Sequence, residues 1–224
     1  MKNFTEYQVS HNRIKNIIFD LGGVVINIDW QLTIDAFQQL ADPAYRDQNE
    51  DLIQKGTYKA QFFEDYEVGK ISDTVFFQHL RETFHLQATD DQIAHAWNAL
   101  LQNIPQERIA LIKKLGETHR TFILSNTNAV HIAEATHILQ RENGIAGFDH
   151  LVEKAYYSHT MHKRKPWASI YEQVVDENNL KPEETLFIDD GLANIEAANG
   201  VGLQGLHVVA NLDGWLQFFQ TTLV

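Results

Sequence analysis

Four places in this chain put oxygen- or nitrogen-bearing side chains directly after an apolar run or just before a helical one. The run IIFD ends in Asp20 and is followed by LGGVV, FILSNTN carries Ser125 and Asn126, HKRKPW carries Lys165, and LFIDDGLAN carries Asp189 and Asp190. Each has a plainer explanation when taken alone. An Asp after a strand serves as a turn residue or helix cap, Ser-Asn-Thr-Asn caps the helix that follows, and a basic cluster is commonly a solvated loop. The acidic pair is harder to dismiss, because adjacent carboxylates repel and a hard divalent cation such as magnesium relieves that repulsion.

Short apolar runs at 16–19, 121–124, 185–188 and 206–209 have the composition of buried parallel strands, and a weaker strand is expected near 150–152. Helical patterns at 106–115, 129–140, 167–176 and 193–199 alternate with them, which predicts an α/β fold of the doubly wound, Rossmann-like kind with a mostly parallel sheet. In such a sheet ligands sit beyond the carboxyl ends of the strands, so Asp20, Ser125 and the acidic pair share one edge. The first two strands are about 100 residues apart, far more than the roughly 30 of an ordinary βαβ unit. Amphipathic patterns in this interval, at 32–40, 58–66 and 75–84, predict an inserted helical cap domain over 29–103, with 1–28 and 104–224 forming the core. Gly69, Ser72 and Asp73 mark a break and an N-cap, and Pro105 suits the first turn of the helix that returns to the core.

Composition excludes much. The 224 residues carry a formal charge of −12, which disfavours nucleic acid as a partner. With no cysteine, disulfide scaffolds, thiolate metal sites and cysteine nucleophiles are ruled out. The first residues lack a secretory apolar stretch, and no run reaches the ~20 apolar residues of a membrane span. A cytoplasmic protein with no membrane partner, monomeric or homodimeric, is the expectation.

Taken in chain order, an Asp, a Ser, a Lys and an Asp pair at these places resemble the four motifs of the haloacid dehalogenase-like hydrolases, and the resemblance covers nearly the whole chain. FDLGGVV, LSNTN, KRKP and FIDDGLANIEAA are most similar to its glucose-1-phosphate phosphatase branch, and also to the N-terminal phosphatase domain of soluble epoxide hydrolase. The resemblance implies Asp20 as a nucleophile that forms an aspartyl-phosphate. It also implies Ser125 and Asn126 at the phosphoryl oxygens, and Lys165 between nucleophile and phosphate. Magnesium would be held by Asp20, the Gly22 carbonyl and Asp190, with Asp189 in support, and Asn194 stands where many relatives carry another acid.

One departure bears on mechanism. The motif of phosphatases in this superfamily has a second Asp two residues after the nucleophile, acting as general acid and then base, and here that position is Gly22. Losing a positioned proton donor costs about 100- to 10,000-fold with a poor leaving group. A sugar 1-phosphate, whose hemiacetal oxygen leaves more readily, is therefore the expected substrate among small phosphorylated metabolites, with a histidine such as His159 or His162 activating water. The alternative from another class is a weakly catalytic phosphosugar-binding or regulatory protein; a metal-free haloacid dehalogenase leaves the acidic pair unexplained, and a phosphomutase lacks the expected acid. Substrate choice is expected to lie in the helical insertion, where the aromatics of 58–66 and Trp97 are candidates, though packing within the cap accounts for them more simply.

Overall fold

The computed structural model describes residues 3–7, 9–10, 13–46 and 60–222. A six-stranded sheet is built from β1 (Phe4–Tyr7), β2 (Asn16–Phe19), β3 (Arg120–Ser125), β4 (Lys154–Tyr157), β5 (Thr185–Asp189) and β6 (Gln204–Val208). Its order is β1-β6-β5-β2-β3-β4, parallel throughout except for β1, which runs antiparallel to β6. The chain leaves central β2 toward β3 and β4, then crosses back to β5 on the other side, so the winding direction reverses at β2.

The four predicted strand runs lie within or across β2, β3, β5 and β6. The fifth is displaced: residues 148–150 form a single 3-10 turn and the strand begins at Lys154. Strand β1 was not anticipated, because its half-exposed FTEY lacks the continuous apolar character of a buried strand.

Each central strand buries both faces, so alternate side chains belong to different cores. Ile17, Phe19, Ile123 and Ile188 pack with α5 (Gln106–Gly116), α6 (Ala129–Asn143) and α10 (Gly214–Thr222). Ile18, Phe122, Leu124 and Phe187 pack with α8 (Ala168–Glu177) and α9 (Leu192–Gly200) on the opposite face. A one-turn helix, α7 (Ser158–Met161), follows β4.

Between β2 and β3 lie α1 (Trp30–Leu40), α2 (Gln61–Glu67), α3 (Asp73–Phe84) and α4 (Asp90–Asn98). They bury a third apolar cluster of their own, centred on Phe76, whose ring lies 3.8 Å from that of Tyr66 and 5.1 Å from that of Trp97. Phe62 and Phe63 pack against it, whereas Tyr58 falls outside the described residues. Ser72 caps α3 as expected, accepting from Val75 N–H, and Thr89 and Gln92 close a reciprocal capping box at the start of α4.

Candidate active site

Strand register brings the acidic residues together. Phe19 is level with Ile188 on β5 and Ile123 on β3, so Asp20 leaves β2 beside Asp189, while Ser125 ends β3 one residue further along. One carboxylate oxygen each from Asp20, Asp189 and Asp190 lie within 4.8 Å of one another.

Lys165 joins this group from the other side of the sheet edge. Its Nζ is 2.7 Å from Asp20 Oδ1 and 2.7 Å from Asp189 Oδ2, with the side chain almost wholly buried. The loop that carries it is fixed by Asn126, whose Oδ1 accepts from Lys165 N–H (2.8 Å) and whose Nδ2 donates to the Lys165 carbonyl (2.9 Å). The peptide between Lys165 and Pro166 is cis, and α8 starts at Ala168, one residue after the start of the predicted helical pattern at 167–176. Asp189 is further oriented by Gly191 N–H (2.7 Å) and by Asn194 Nδ2 (2.9 Å), both donating to Oδ1. Asn194 therefore acts on this site through Asp189. Gly23, with φ +73°, lets the turn after β2 pass so close to Asp190 that an added Cβ would stand 2.7 Å from its Oδ2.

Electrostatics express the crowding. Burial, reinforced by Asp189 and Asp190 and opposed by Lys165, pushes the Asp20 carboxyl up to about 8. Burial and the neighbouring Asp189 likewise raise Asp190. For Lys165, burial works against the charge, but Asp189 and Asp20 outweigh it and hold the ammonium above its ordinary range. Three carboxylates with one ammonium leave a surplus of negative charge in a buried place, and an oxygen-only donor set of this kind fits a hard divalent cation.

Beside this cluster a cavity of about 100 Å³ lies between the sheet edge and the helical layer, lined by Gly22, Ser125, Asn126, Glu67, Trp97 and His131 among others. Three of these carry buried polar atoms without a hydrogen-bond partner: Glu67 Oε2, Trp97 Nε1 and His131 Nε2. His131 stacks on Trp97 with ring centres 4.6 Å apart, and its Nδ1 lies 2.8 Å from Asn98 Oδ1. That contact assigns the proton to Nδ1, and burial holds the ring neutral by depressing its pKa to about 3. Nε2 is then left as an acceptor. The histidines favoured on sequence lie elsewhere: His162 Nδ1 is 3.0 Å from the Val68 carbonyl, and neither it nor His159 lines the cavity.

Nothing in the sequence pointed to Glu67 or His131. Both come from helical patterns in which polar residues are ordinary, and only the docking of the layer on the sheet brings them to the cavity. Trp97 was singled out as an aromatic, for the layer's core or for substrate choice; its ring is buried in the layer's cluster, the residue also lines the cavity, and its Nε1 is buried without a partner.

Comparison with known proteins agrees with this architecture. A D-ribitol-5-phosphate phosphatase of Bacteroides thetaiotaomicron is 28% identical over 193 residues, covering 85% of this chain and 90% of the relative. A sesquiterpene phosphatase of Aspergillus oryzae is 24% identical over 200 residues, covering 88% and 91%. A crystal structure of a HAD family enzyme from B. thetaiotaomicron in complex with magnesium and inorganic phosphate superposes with a TM-score of 0.78 at 30% identity, covering 92% of this chain and 99% of that one. The family model of haloacid dehalogenase-like hydrolases matches residues 14–202. With that match spanning most of its length, the chain belongs to the haloacid dehalogenase-like hydrolases.

Proposed function

We propose that this protein is a magnesium-dependent phosphatase that hydrolyses a small hydroxylated phosphate ester, a sugar or polyol phosphate, through a phosphorylated Asp20. The observation that carries the reading is the arrangement of Asp20, Asp189 and Asp190 around one point with Lys165 bridging two of them. Asp20, Asp190 and the Gly22 carbonyl would hold the cation, with Asp189 orienting Lys165 and supporting the site. When bound, the cation supplies charge neutralisation for a phosphoryl group that would otherwise face three carboxylates.

The chain's own residues do the rest. The Asp20 carboxylate attacks phosphorus, the bond to the ester oxygen breaks, and water later attacks the phosphorus of the aspartyl-phosphate, releasing inorganic phosphate and restoring Asp20. Lys165 offsets charge on Asp20 and on the transferring group, while Ser125 and Asn126 hold phosphoryl oxygens. The segment 29–103 acts as the cap over this site. In the cavity, Trp97 Nε1–H offers a donor and His131 Nε2 an acceptor, a complementary pair for a hydroxyl of the departing alcohol. This supports a hydroxylated leaving group, in keeping with the ribitol phosphate that names one relative.

Phosphate release from a panel of sugar 1-phosphates, pentitol phosphates and unsubstituted alkyl phosphates tests the reading. Turnover should require magnesium, be abolished by a chelator, and fall at least about 1,000-fold in Asp20→Asn, since an amide cannot take the place of the attacking carboxylate. Turnover that survives the chelator, or an Asp20→Asn protein that binds and turns over esters as before, would refute it. The missing Asp at Gly22 also supports a second reading, a phosphosugar-binding protein with little turnover; that reading predicts tight magnesium-dependent binding with equally slow release from every ester.

A further inference from the structure

Hydrolysis of an alkyl phosphate needs a proton for the leaving oxygen, and at Gly22 the chain lacks the side chain that supplies it in related phosphatases. Resting on the phosphatase reading above, we infer that Glu67, the last residue of α2, takes over this task as the general acid and base of the site.

Glu67 lines the same cavity as Gly22, Ser125 and Asn126, so it borders the space next to the position from which the usual Asp would act. Its Oε2 is buried and makes no hydrogen bond; Arg164 Nη2 lies 3.1 Å away without the alignment for one. Glu64 on the same helix takes the other arm of Arg164, at 3.3 Å from Nη1. The groups bearing on Glu67 are thus Arg164 and Lys165 from the loop after β4 and Glu64 from its own helix, with His131 elsewhere on the cavity wall. Burial outweighs the two cations and raises the Glu67 carboxyl above its ordinary value, the direction a proton donor near neutral pH requires. Neither histidine suggested by sequence is placed to compete for the role.

The protons balance. As Asp20 attacks phosphorus and the P–O bond to the alcohol breaks, Glu67–COOH gives its proton to the leaving oxygen, and the alcohol departs. The resulting carboxylate removes a proton from water as that water attacks the phosphorus of the aspartyl-phosphate. The P–O bond to Asp20 then breaks, inorganic phosphate is formed, and Glu67 is protonated again.

The test compares an alkyl phosphate, which needs the proton, with p-nitrophenyl phosphate, whose phenolate leaves without one. In single-turnover measurements Glu67→Gln should slow release of the alcohol from the alkyl ester by about 100- to 10,000-fold while leaving the first burst of p-nitrophenolate within about tenfold of the parent, and steady-state turnover of both esters should fall because hydrolysis of the aspartyl-phosphate still needs the base. Arg164→Gln, which breaks the same ion pair but spares the carboxyl, should affect both esters alike. Gly22→Asp added to Glu67→Gln should recover the alkyl activity, because a Cβ at residue 22 meets only Ile28, at 3.6 and 3.8 Å. In the parent protein the ratio of alkyl to aryl rates should fall as pH rises through the Glu67 titration. Ionisation of Asp20 cancels in that ratio, so it reports on the acid even if a variant fails to fold. Equal losses in that first release from both esters in Glu67→Gln, or a pH-independent ratio, would overturn the assignment. Failure of the parent to hydrolyse the aryl ester with magnesium would instead defeat the phosphatase reading itself.

Discussion

His131 is a buried base with only one of its two nitrogens engaged, and this has a measurable thermodynamic consequence. Its folded-state pKa is depressed to about 3 by burial, whereas an unfolded histidine titrates near its ordinary value of about 6.5. Between these values the unfolded chain binds a proton that the folded chain refuses. Stability therefore falls as pH drops from about 6.5 toward 3, by up to about 1.4 kcal/mol per pH unit from this group alone, and the group adds no slope above 6.5. In urea titrations at several pH values, the difference between the parent and His131→Phe should show that slope below 6.5 and be flat above it. A difference that is flat throughout would mean that the ring is solvated. Asp20, Lys165, Asp189 and Asp190 were legible in the sequence for the opposite reason, since each adjoins an apolar strand or a helix start whose place in a parallel sheet is nearly fixed. Glu67 and His131 were not, because no local pattern shows where a helical layer will dock.

Among the elements, the turn after β2 is the most exacting. Gly23 at φ +73° combines a left-handed backbone with a close approach to Asp190 and to Ala210 Cβ, which an added Cβ would meet at 3.2 Å. Gly23→Ala should cost about 1–3 kcal/mol, read as a lower Tm, and should weaken magnesium binding measured by calorimetry, since Asp190 must move. An unchanged protein would show that the turn relaxes freely. Element by element, the strands buried on both faces were readable because both neighbours demand apolar side chains. Strand β1 escaped notice because it is half exposed, and β4 was placed too early because Leu151 and Val152 are the local apolar pair, whereas KAYY opens on a lysine. Helix α4 had no expected range of its own, although Thr89 and Gln92 formed a capping signature that could have marked its start.

At the scale of the whole molecule, the charge of −12 opposes an anionic ester. Raising ionic strength at constant free magnesium should therefore increase kcat/KM for a phosphate monoester, by less than about tenfold, because salt screens the repulsion during encounter. A decrease would show that the local field at the mouth of the site is positive despite the total. No helix among the described residues is long and apolar enough to cross a membrane. Among the described residues, the contacts by which the helical layer meets the core include Arg164 with Glu64 and Glu67, His162 with the Val68 carbonyl, and Trp97 and Asn98 with His131. The cavity along that boundary measures about 100 Å³, well below the roughly 300 Å³ at which small-molecule pockets usually begin. Because the loop that grips the layer through His162 and Arg164 also bears Lys165, the ammonium and the helical layer hang from one short stretch of backbone, and a substitution that loosens the layer there should reach the bridge to Asp20 as well.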